Sequence, residues 1–200
     1  MRYLAMGDSY TVGTAVRPEE SFPSVLASHL HEATGEDVDL TNLGVNGYTT
    51  ENLIADELPR LRERPWDAVT VLIGVNDFVR RWGPDRYRDN LRLIYTAIAE
   101  ADLPPGRAVA VSIPDFSFTP AAAEFGEPVR ILTGLHGLNV IAAEEAGRKG
   151  LTFVDVLPVS RSGADTPDWI AADGLHPGPA QHRAWAEVIW QTVGGAWAAR

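Results

Sequence analysis

Short apolar runs alternate along the chain with segments in which apolar residues recur at helical spacing. Five runs are rich in apolar and β-branched residues, at 2–6, 37–43, 67–73, 107–113 and 151–156. Runs of this length are typical of buried strands. The helical segments carry the stripes Ile54, Leu58, Leu61; Tyr87, Leu91, Ile94, Ile98; Ile131, Leu135, Leu138, Ala142; and Trp185, Val188, Val193, Ala196.

Two prolines adjust this pattern at helix starts. Pro179 lies near the first turn of the last helix, where a missing N–H costs nothing. The segment 20–34 is predicted to be a weaker helix, because Pro23 must lie in its first turn. The roughly regular βα alternation predicts an α/β fold, with a parallel sheet covered by helices on both faces.

We predict one domain over residues 1–200, a three-layer α/β/α sandwich with a five-stranded parallel sheet in the flavodoxin-like order 2-1-3-4-5. Two connections look long, at roughly 114–127 and 157–178. Long loops in compact domains are often functional. Both follow predicted strand ends.

The net charge and the absence of cysteine argue against several classes of partner and site. The net charge is −10, which argues against a nucleic-acid partner because phosphate binding needs a basic face. The same charge disfavours stable membrane association. The chain has no cysteine, so thiolate catalysis and cysteine-bound zinc are excluded. The oligomeric state is not predicted.

The chain as given is expected to be cytoplasmic. The apolar run at its start is too short for a signal peptide and continues directly into a candidate catalytic motif. No segment has the roughly 18 consecutive apolar residues of a membrane span. A leader removed before this start is the alternative that stays open.

Residues with catalytic chemistry follow the predicted strands. Ser9 follows the first strand, Gly47 the second and Asn76 the third, while Asp173 and His176 lie in the loop after the fifth. Ligands in open α/β sheets bind at the carboxyl ends of the strands. We therefore expect these five residues to meet at one edge of the sheet.

Gly7-Asp8-Ser9-Tyr10 offers a nucleophile on a strand-to-helix turn. Backbone N–H groups at the new helix start favour an oxyanion there. The alternative is a serine that merely caps the helix. The motif is not the G-x-S-x-G elbow, since position 11 is Thr.

Two further blocks supply N–H donors. The Asn46-Gly47 pair either supplies a backbone N–H donor or is simply a turn that needs a positive φ. In Gly74-Val75-Asn76-Asp77 the Asn76 side chain is a candidate donor to developing negative charge. The alternative there is that Asn76-Asp77 caps the next helix.

Asp173-Gly174-Leu175-His176 supplies an acid and a base. Three residues of separation let a tight turn bring the carboxylate to the imidazole Nδ1–H, which leaves Nε2 to accept the serine proton. The alternative is an ordinary surface loop. The other histidines are less apt because they lie on predicted helices: His29, His31, His136 and His182.

Together the four blocks resemble the SGNH/GDSL hydrolase family over residues 7–178. The resemblance implies Ser9 as nucleophile, with Asp173 and His176 as orienter and base. It also implies Gly47 and Asn76 in the oxyanion hole beside the Ser9 N–H, with Gly44 as the competitor of Gly47. The sequence departs from the family pattern at Tyr10, where leucine is usual, and at Tyr48, where many members carry Asp or Glu.

The resemblance implies a serine esterase that needs no cofactor and no metal. Its partner is a small-molecule ester, for which we predict short-chain or acetyl acyl groups. The alternatives are a lysophospholipase, thioesterase or carbohydrate O-deacetylase, or a non-catalytic flavodoxin-like binding module. The chain lacks both G-x-x-x-x-G-K-[ST] and G-x-G-x-x-G after the first strand, which argues against a nucleotide-dependent enzyme.

Aromatic residues near the blocks are candidates for substrate binding: Tyr10, Tyr48, Phe116 and Trp169. Arg80, Arg81 and Trp82 follow the Asn76 block. They are either a clamp for an acidic or planar substrate group or a solvated helix start.

Overall fold

The structure is a computed structural model that describes residues 1–199. Its single sheet has five strands, all parallel, in the order 2-1-3-4-5. The strands are β1 (Arg2–Gly7), β2 (Asp39–Asn42), β3 (Ala68–Leu72), β4 (Ala108–Val111) and β5 (Thr152–Val154). The predicted strand order is confirmed.

The central strands are buried on both faces, as expected of a parallel sheet between helices. Every residue of β3 is buried. Its one polar side chain, Thr70, shares a 2.8 Å hydrogen bond with the Tyr3 hydroxyl of β1. The register pairs Tyr3 with Ala68 and Gly7 with Leu72, so β1 and β3 end at the same level.

Helices connect the strands and cover the sheet. They are α1 (Ser9–Val12), α2 (Phe22–Thr34), α3 (Thr50–Asn52), α4 (Val75–Val79), α5 (Pro84–Ala99), α6 (Pro128–Lys149), α7 (Leu157–Ser162) and α8 (Pro179–Ala198). Helices α2 and α8 pack against each other, and α5 packs against α6. These two pairs form the outer layers of the predicted three-layer architecture.

The prolines lie where the sequence predicts. Pro23 is the second residue of α2 and Pro179 the first of α8. The predicted stripes on α5 and α6 are buried. On α8 the prediction is partly wrong, since Ala196 is exposed and the buried face continues to Trp197.

The segment after α3 differs from the regular helix that its periodicity predicts. Residues Leu53–Glu57 form a π turn, and Leu58–Arg62 form a 3₁₀ helix. Pro59 has no N–H to continue an α-helix. The irregular winding turns Leu53, Glu57 and Leu61 inward, whereas Ile54 and Leu58 of the predicted stripe are only half-buried.

The two long connections contain local structure. Residues Pro120–Glu124 form a 3₁₀ helix in the first, and α7 occupies the start of the second. Ala121 N–H donates to the Gly174 carbonyl at 3.0 Å, which joins the two connections. Within residues 1–199, no helix combines the length and apolar character needed to cross a membrane.

Candidate active site

Ser9 is the first residue of α1, directly after the end of β1. Asp8 is the N-cap, and its Oδ1 accepts the Tyr10 N–H at 3.0 Å. The capping role therefore belongs to Asp8 and not to Ser9, which leaves the Ser9 hydroxyl available for other chemistry. The Ser9 N–H has no intrahelical partner because it lies in the first turn.

Gly44 and Gly47, the two glycines of the loop after β2, have different roles. Gly44 N–H donates to Asn42 Oδ1 at 3.0 Å, and a Cβ at Gly44 would lie 2.4 Å from Val12 N. Gly44 is thus needed for close packing against α1, and its N–H is occupied. Gly47 has φ +82°, and within residues 1–199 its N–H has no hydrogen-bond acceptor.

Two side chains of the α4 region hold the same loop by its carbonyl groups. Asn76 Nδ2 donates to the Tyr48 carbonyl at 2.9 Å, and Arg80 Nη2 donates to the Gly47 carbonyl at 3.3 Å. These bonds fix the peptide planes on both sides of Tyr48. The Asn76 amide has a second N–H to offer.

The alternative capping role of Asn76-Asp77 is wrong, because both residues lie inside α4 and Gly74 is the N-cap. The Asp77 carboxylate accepts hydrogen bonds from the backbone N–H and hydroxyl of Thr50. Asp77 therefore joins α4 to α3. Burial raises the pKa of Asp77, and the hydrogen bonds from Thr50 oppose that shift.

Asp173 and His176 form a short, well-supported pair. Asp173 Oδ2 lies 2.6 Å from His176 Nδ1, while Asp173 Oδ1 accepts the N–H groups of Leu175 and His176 at 2.9 and 3.0 Å. The turn is closed by the Ala171 N–H, which donates to the His176 carbonyl at 2.8 Å. This is the carboxylate–imidazole contact that fixes a histidine tautomer.

The Asp173 carboxylate is stabilised in its ionised form. Partial desolvation acts to raise its pKa, but the hydrogen bonds from Leu175 and His176 outweigh it, and the net pKa is lowered. Asp173 is therefore ionised at neutral pH. A carboxylate at Nδ1 leaves Nε2 as the free acceptor of the ring.

His182 is not a competing base. It is fully buried in α8, its Nδ1 accepts the Phe22 N–H at 3.3 Å, and its ring lies against Trp185. Burial lowers the pKa of His182 to about 3, and the charge of His176 adds to this shift. His182 is a neutral residue of the core.

A cleft of about 130 Å³ brings Ser9, Asn76 and His176 together at the carboxyl edge of the sheet, whereas Gly47 and Asp173 are not among its lining residues. It is lined by Ser9, Tyr10, Asn46, Val75, Asn76, Val79, Phe116, Phe125, Leu175 and His176. Ser9 and His176 both line this cleft, and within residues 1–199 no hydrogen bond joins their side chains. Catalytic hydrogen bonds of this kind often tighten only when substrate is bound.

The predicted substrate-binding residues divide into two groups. Tyr10 and Phe116 line the cleft, and the Tyr10 ring meets the His176 ring edge-on with centroids 6.4 Å apart. Tyr48 does not line it, because its hydroxyl donates to Asp56 Oδ2 at 2.8 Å on the surface. Trp169 is buried beside α7, where its indole N–H donates to the Ser160 carbonyl at 2.7 Å.

Arg80, Arg81 and Trp82 were predicted to be either a substrate clamp or a solvated helix start. Their contacts in the structure fit neither alternative alone. Arg80 binds the Gly47 carbonyl, as described above. The Arg86 guanidinium stacks 3.7 Å from the Trp82 ring centroid and pairs with Glu51. Arg81 has the positive φ of 57° that is unusual for a residue with a side chain.

Of the apolar residues that line the cleft, Phe116 was predicted from the sequence, but the aliphatic ones were not. Val75 and Val79 are one helical turn apart on α4, and Leu175 lies inside the acid–base turn. Val75 and Leu175 lie inside predicted catalytic blocks and Val79 follows one closely, which is the signal that the sequence offers. No group of three or more metal-ligating side chains is found in the part of the chain that the structure describes.

The fold and the site together define a class of ester-hydrolysing α/β enzymes. The family model for the GDSL-like lipase/acylhydrolase family matches residues 5–184, and the chain belongs to that family. An arylesterase from Vibrio mimicus is 27% identical over 203 residues, which cover 96% of this chain and 88% of the relative.

Solved structures share the fold at lower identity. TesA superposes with a TM-score of 0.74 at 21% identity, covering 98% of this chain and 99% of TesA. Axe2, an acetylxylan esterase from Geobacillus stearothermophilus, superposes with a TM-score of 0.70 at 19% identity, covering 99% and 96% of the two chains. The five-stranded α/β/α architecture is thus common to these proteins.

Proposed function

We propose that this chain is a serine esterase that hydrolyses carboxylic esters through an acyl-enzyme on Ser9. The observation that carries this proposal is the Asp173–His176 contact of 2.6 Å at the rim of a cleft that Ser9 also lines. An ionised carboxylate, an imidazole and a hydroxyl in that arrangement can act as a charge-stabilised base and its nucleophile.

In the first half-reaction, Ser9 Oγ attacks the ester carbonyl carbon while His176 Nε2 accepts the serine proton. The tetrahedral intermediate collapses, the bond to the alcohol oxygen breaks, and His176 returns the proton to the leaving alcohol. Water attacks the acyl-enzyme in the second half-reaction, again with His176 as base. Asp173 orients the imidazole throughout and stabilises its charged form.

The oxyanion is held by the N–H groups of Ser9 and Gly47 and by the side-chain amide of Asn76. Two observations support Gly47 over Gly44 as the donor: the Gly47 N–H has no acceptor within residues 1–199, and Gly44 donates to Asn42. Donors that are fixed before the reaction stabilise developing charge most effectively. Arg80 and Asn76 provide that rigidity through the neighbouring carbonyl groups.

The acyl group is short, in the range from acetyl to roughly hexanoyl. The cleft volume of about 130 Å³ supports this size, since a cavity of about 150 Å³ accommodates a benzene-sized group. The wall is mostly apolar, formed by Val75, Val79, Phe116 and Phe125. The relative from Vibrio mimicus is an arylesterase, which supports an ester as the substrate.

The test is a comparison of kcat and kcat/KM for p-nitrophenyl butanoate in three variants. Ser9→Ala and His176→Ala should each reduce kcat by a comparable large factor, about 10⁴-fold or more, because the two residues act as a unit. His136→Ala is the matched control, since His136 is exposed on α6. Circular dichroism checks that each variant is folded.

Full activity in Ser9→Ala would move the nucleophile elsewhere. A folded wild-type chain that hydrolyses no ester in a broad screen would favour the binding-module alternative.

A further inference from the structure

The loop after β4 brings Phe116 to the cleft without forming regular secondary structure on the way. Residues 112–116 form neither helix nor strand, yet residues 111–117 are all buried. Backbone N–H and C=O groups that are buried outside helices and strands need other hydrogen-bond partners. In the Phe116 loop, defined as residues 112–119, side chains of α6 and α7 supply several of those partners.

The two helices hold the Phe116 loop on both sides of Pro114. Asn139 of α6 binds both backbone groups of Ile113: its Oδ1 accepts the N–H at 2.8 Å, and its Nδ2 donates to the carbonyl at 2.8 Å. Ser160 of α7 accepts the Asp115 N–H on its Oγ at 3.0 Å. Asn139 and Ser160 are both buried, so the chain that leads to Phe116 is fixed from within the core.

The Asp115 carboxylate extends this restraint to the far side of Phe116. Its Oδ1 accepts the Ser117 N–H at 2.8 Å, and its Oδ2 accepts Nη1 of Arg161 on α7 at 2.8 Å. The Asp115 side chain is 0% exposed, whereas that of Arg161 is 46% exposed. Within residues 1–199, Arg161 is the cation that forms an ion pair with this carboxylate. The peptide groups on both sides of Phe116 are thus held by Asp115, whose charge is compensated by one arginine at the surface.

From these contacts we propose that the Asp115–Arg161 ion pair determines the length of acyl chain that the cleft accepts. The pair acts through Phe116, because it fixes the Phe116 loop and the loop holds the Phe116 ring as one wall of the cleft. Asp115 and Arg161 are therefore positioning residues, and neither is among the residues that line the cleft. This inference rests on the proposed binding of the acyl group in this cleft.

The burial of Asp115 is what makes its partner important. Removal of one member of a buried ion pair leaves an uncompensated charge in the interior, which is strongly unfavourable. Without Arg161, the Asp115 carboxylate would be drawn toward water, and the Ser117 N–H bound to its other oxygen would move with it. Phe116 lies between these two residues, so its ring would leave the place where it meets the Phe125 ring edge-on, with centroids 5.6 Å apart. A displaced Phe116 ring opens the cleft to longer acyl chains.

The experiment compares Arg161→Met and Arg161→Lys with wild type on p-nitrophenyl esters from acetyl to decanoyl, each below its micelle concentration. Lysine keeps the charge and can replace the single Nη1 contact, whereas methionine is a flexible side chain without charge. Arg161→Met should raise kcat/KM for octanoyl relative to hexanoyl esters by about fourfold, the gain from one more covered methylene. Acetyl esters should keep their kcat/KM, because Ser9 and His176 are untouched. Arg161→Lys should keep the wild-type chain-length profile.

Two further variants separate this role from a general loss of stability. Arg64→Met is the matched control, because Arg64 pairs at 2.6 Å with Asp39, the first residue of β2, at the opposite end of the sheet from the cleft. Its chain-length profile should equal that of wild type. The double variant Asp115→Asn/Arg161→Met buries no unpaired charge and serves as the test if Arg161→Met does not fold, which circular dichroism checks. It also lacks the ion pair and should show the same gain for octanoyl esters.

Amide hydrogen exchange gives a second readout that does not depend on catalysis. Exchange of the Ser117 N–H should be about tenfold faster in Arg161→Met than in wild type, the change expected when a hydrogen bond to a charged group is weakened, and should be restored in Arg161→Lys. The inference is overturned if the folded variants without the ion pair keep the wild-type chain-length profile, if they lose kcat/KM by one common factor for all esters, or if Ser117 exchange does not change. A wild-type chain that hydrolyses none of the esters would instead overturn the proposed function, and this inference with it.

Discussion

We expect the proposed acyl-chain preference to depend on Phe125, which lines the cleft. Its ring is half-buried and meets the Phe116 ring edge-on, with centroids 5.6 Å apart. Phe116 is only 4% exposed, so its truncation would damage the core. Phe125→Ala should therefore enlarge the cleft at a smaller cost in stability than a truncation of Phe116.

The expected magnitude follows from the area that the cleft covers. Each buried CH₂ contributes about 0.8 kcal/mol, which is about fourfold in kcat/KM. In wild type, kcat/KM should rise by about this factor for each carbon that the cleft covers, stop near hexanoyl and fall for longer chains. If Phe125→Ala uncovers room for two more methylenes, octanoyl esters should gain about 15-fold relative to hexanoyl esters.

The assay measures kcat/KM for p-nitrophenyl esters from acetyl to decanoyl, each below its micelle concentration. Leu93→Ala is the control, since Leu93 is 58% exposed on α5. The reasoning is refuted if wild-type kcat/KM climbs steadily through decanoyl esters, which would favour a lipase or lysophospholipase. An unchanged chain-length profile in Phe125→Ala would remove Phe125 from the acyl site.

Further predictions concern the oxyanion hole and the acid–base pair. Asn76→Ala should reduce kcat by about 10²–10³ with little change in KM, because its donor acts in the transition state; a higher KM at constant kcat would make Asn76 a substrate-binding residue. Asp173→Asn should lower kcat by up to about 10⁴ through the wrong His176 tautomer; an unchanged kcat would assign the orienter elsewhere. Arg80→Met should lower kcat about tenfold by loosening the Gly47 carbonyl, and an effect confined to KM would instead indicate substrate contact.

Local chemistry made much of the fold predictable. The strand order follows from the βα alternation, because parallel crossovers of one hand leave few arrangements. Helix starts at Pro23 and Pro179 follow from the missing proline N–H. The Asp173–His176 pair was predictable because both partners lie in one tight turn, three residues apart.

Contacts between residues far apart in the sequence were harder to predict. The sequence positions of Trp169 and Tyr48 indicated substrate binding. In the structure, however, the Trp169 indole N–H donates to a carbonyl of α7, and the Tyr48 hydroxyl donates to the Asp56 carboxylate. Glu57 escaped notice because a charged residue is normally read as solvent-facing. Glu57 is turned inward by the π turn, which forms where the helix ends before Pro59. The spacing of apolar residues does not predict that irregular winding.

The central claim is that Ser9 is the nucleophile, and covalent labelling tests it most directly. Wild-type protein is treated with a fluorophosphonate and analysed by intact mass and peptide mapping. We predict one adduct per chain, located on Ser9, with loss of esterase activity in step with labelling and no adduct in Ser9→Ala. An adduct on another residue, or full activity in a chain labelled at Ser9, would contradict the account.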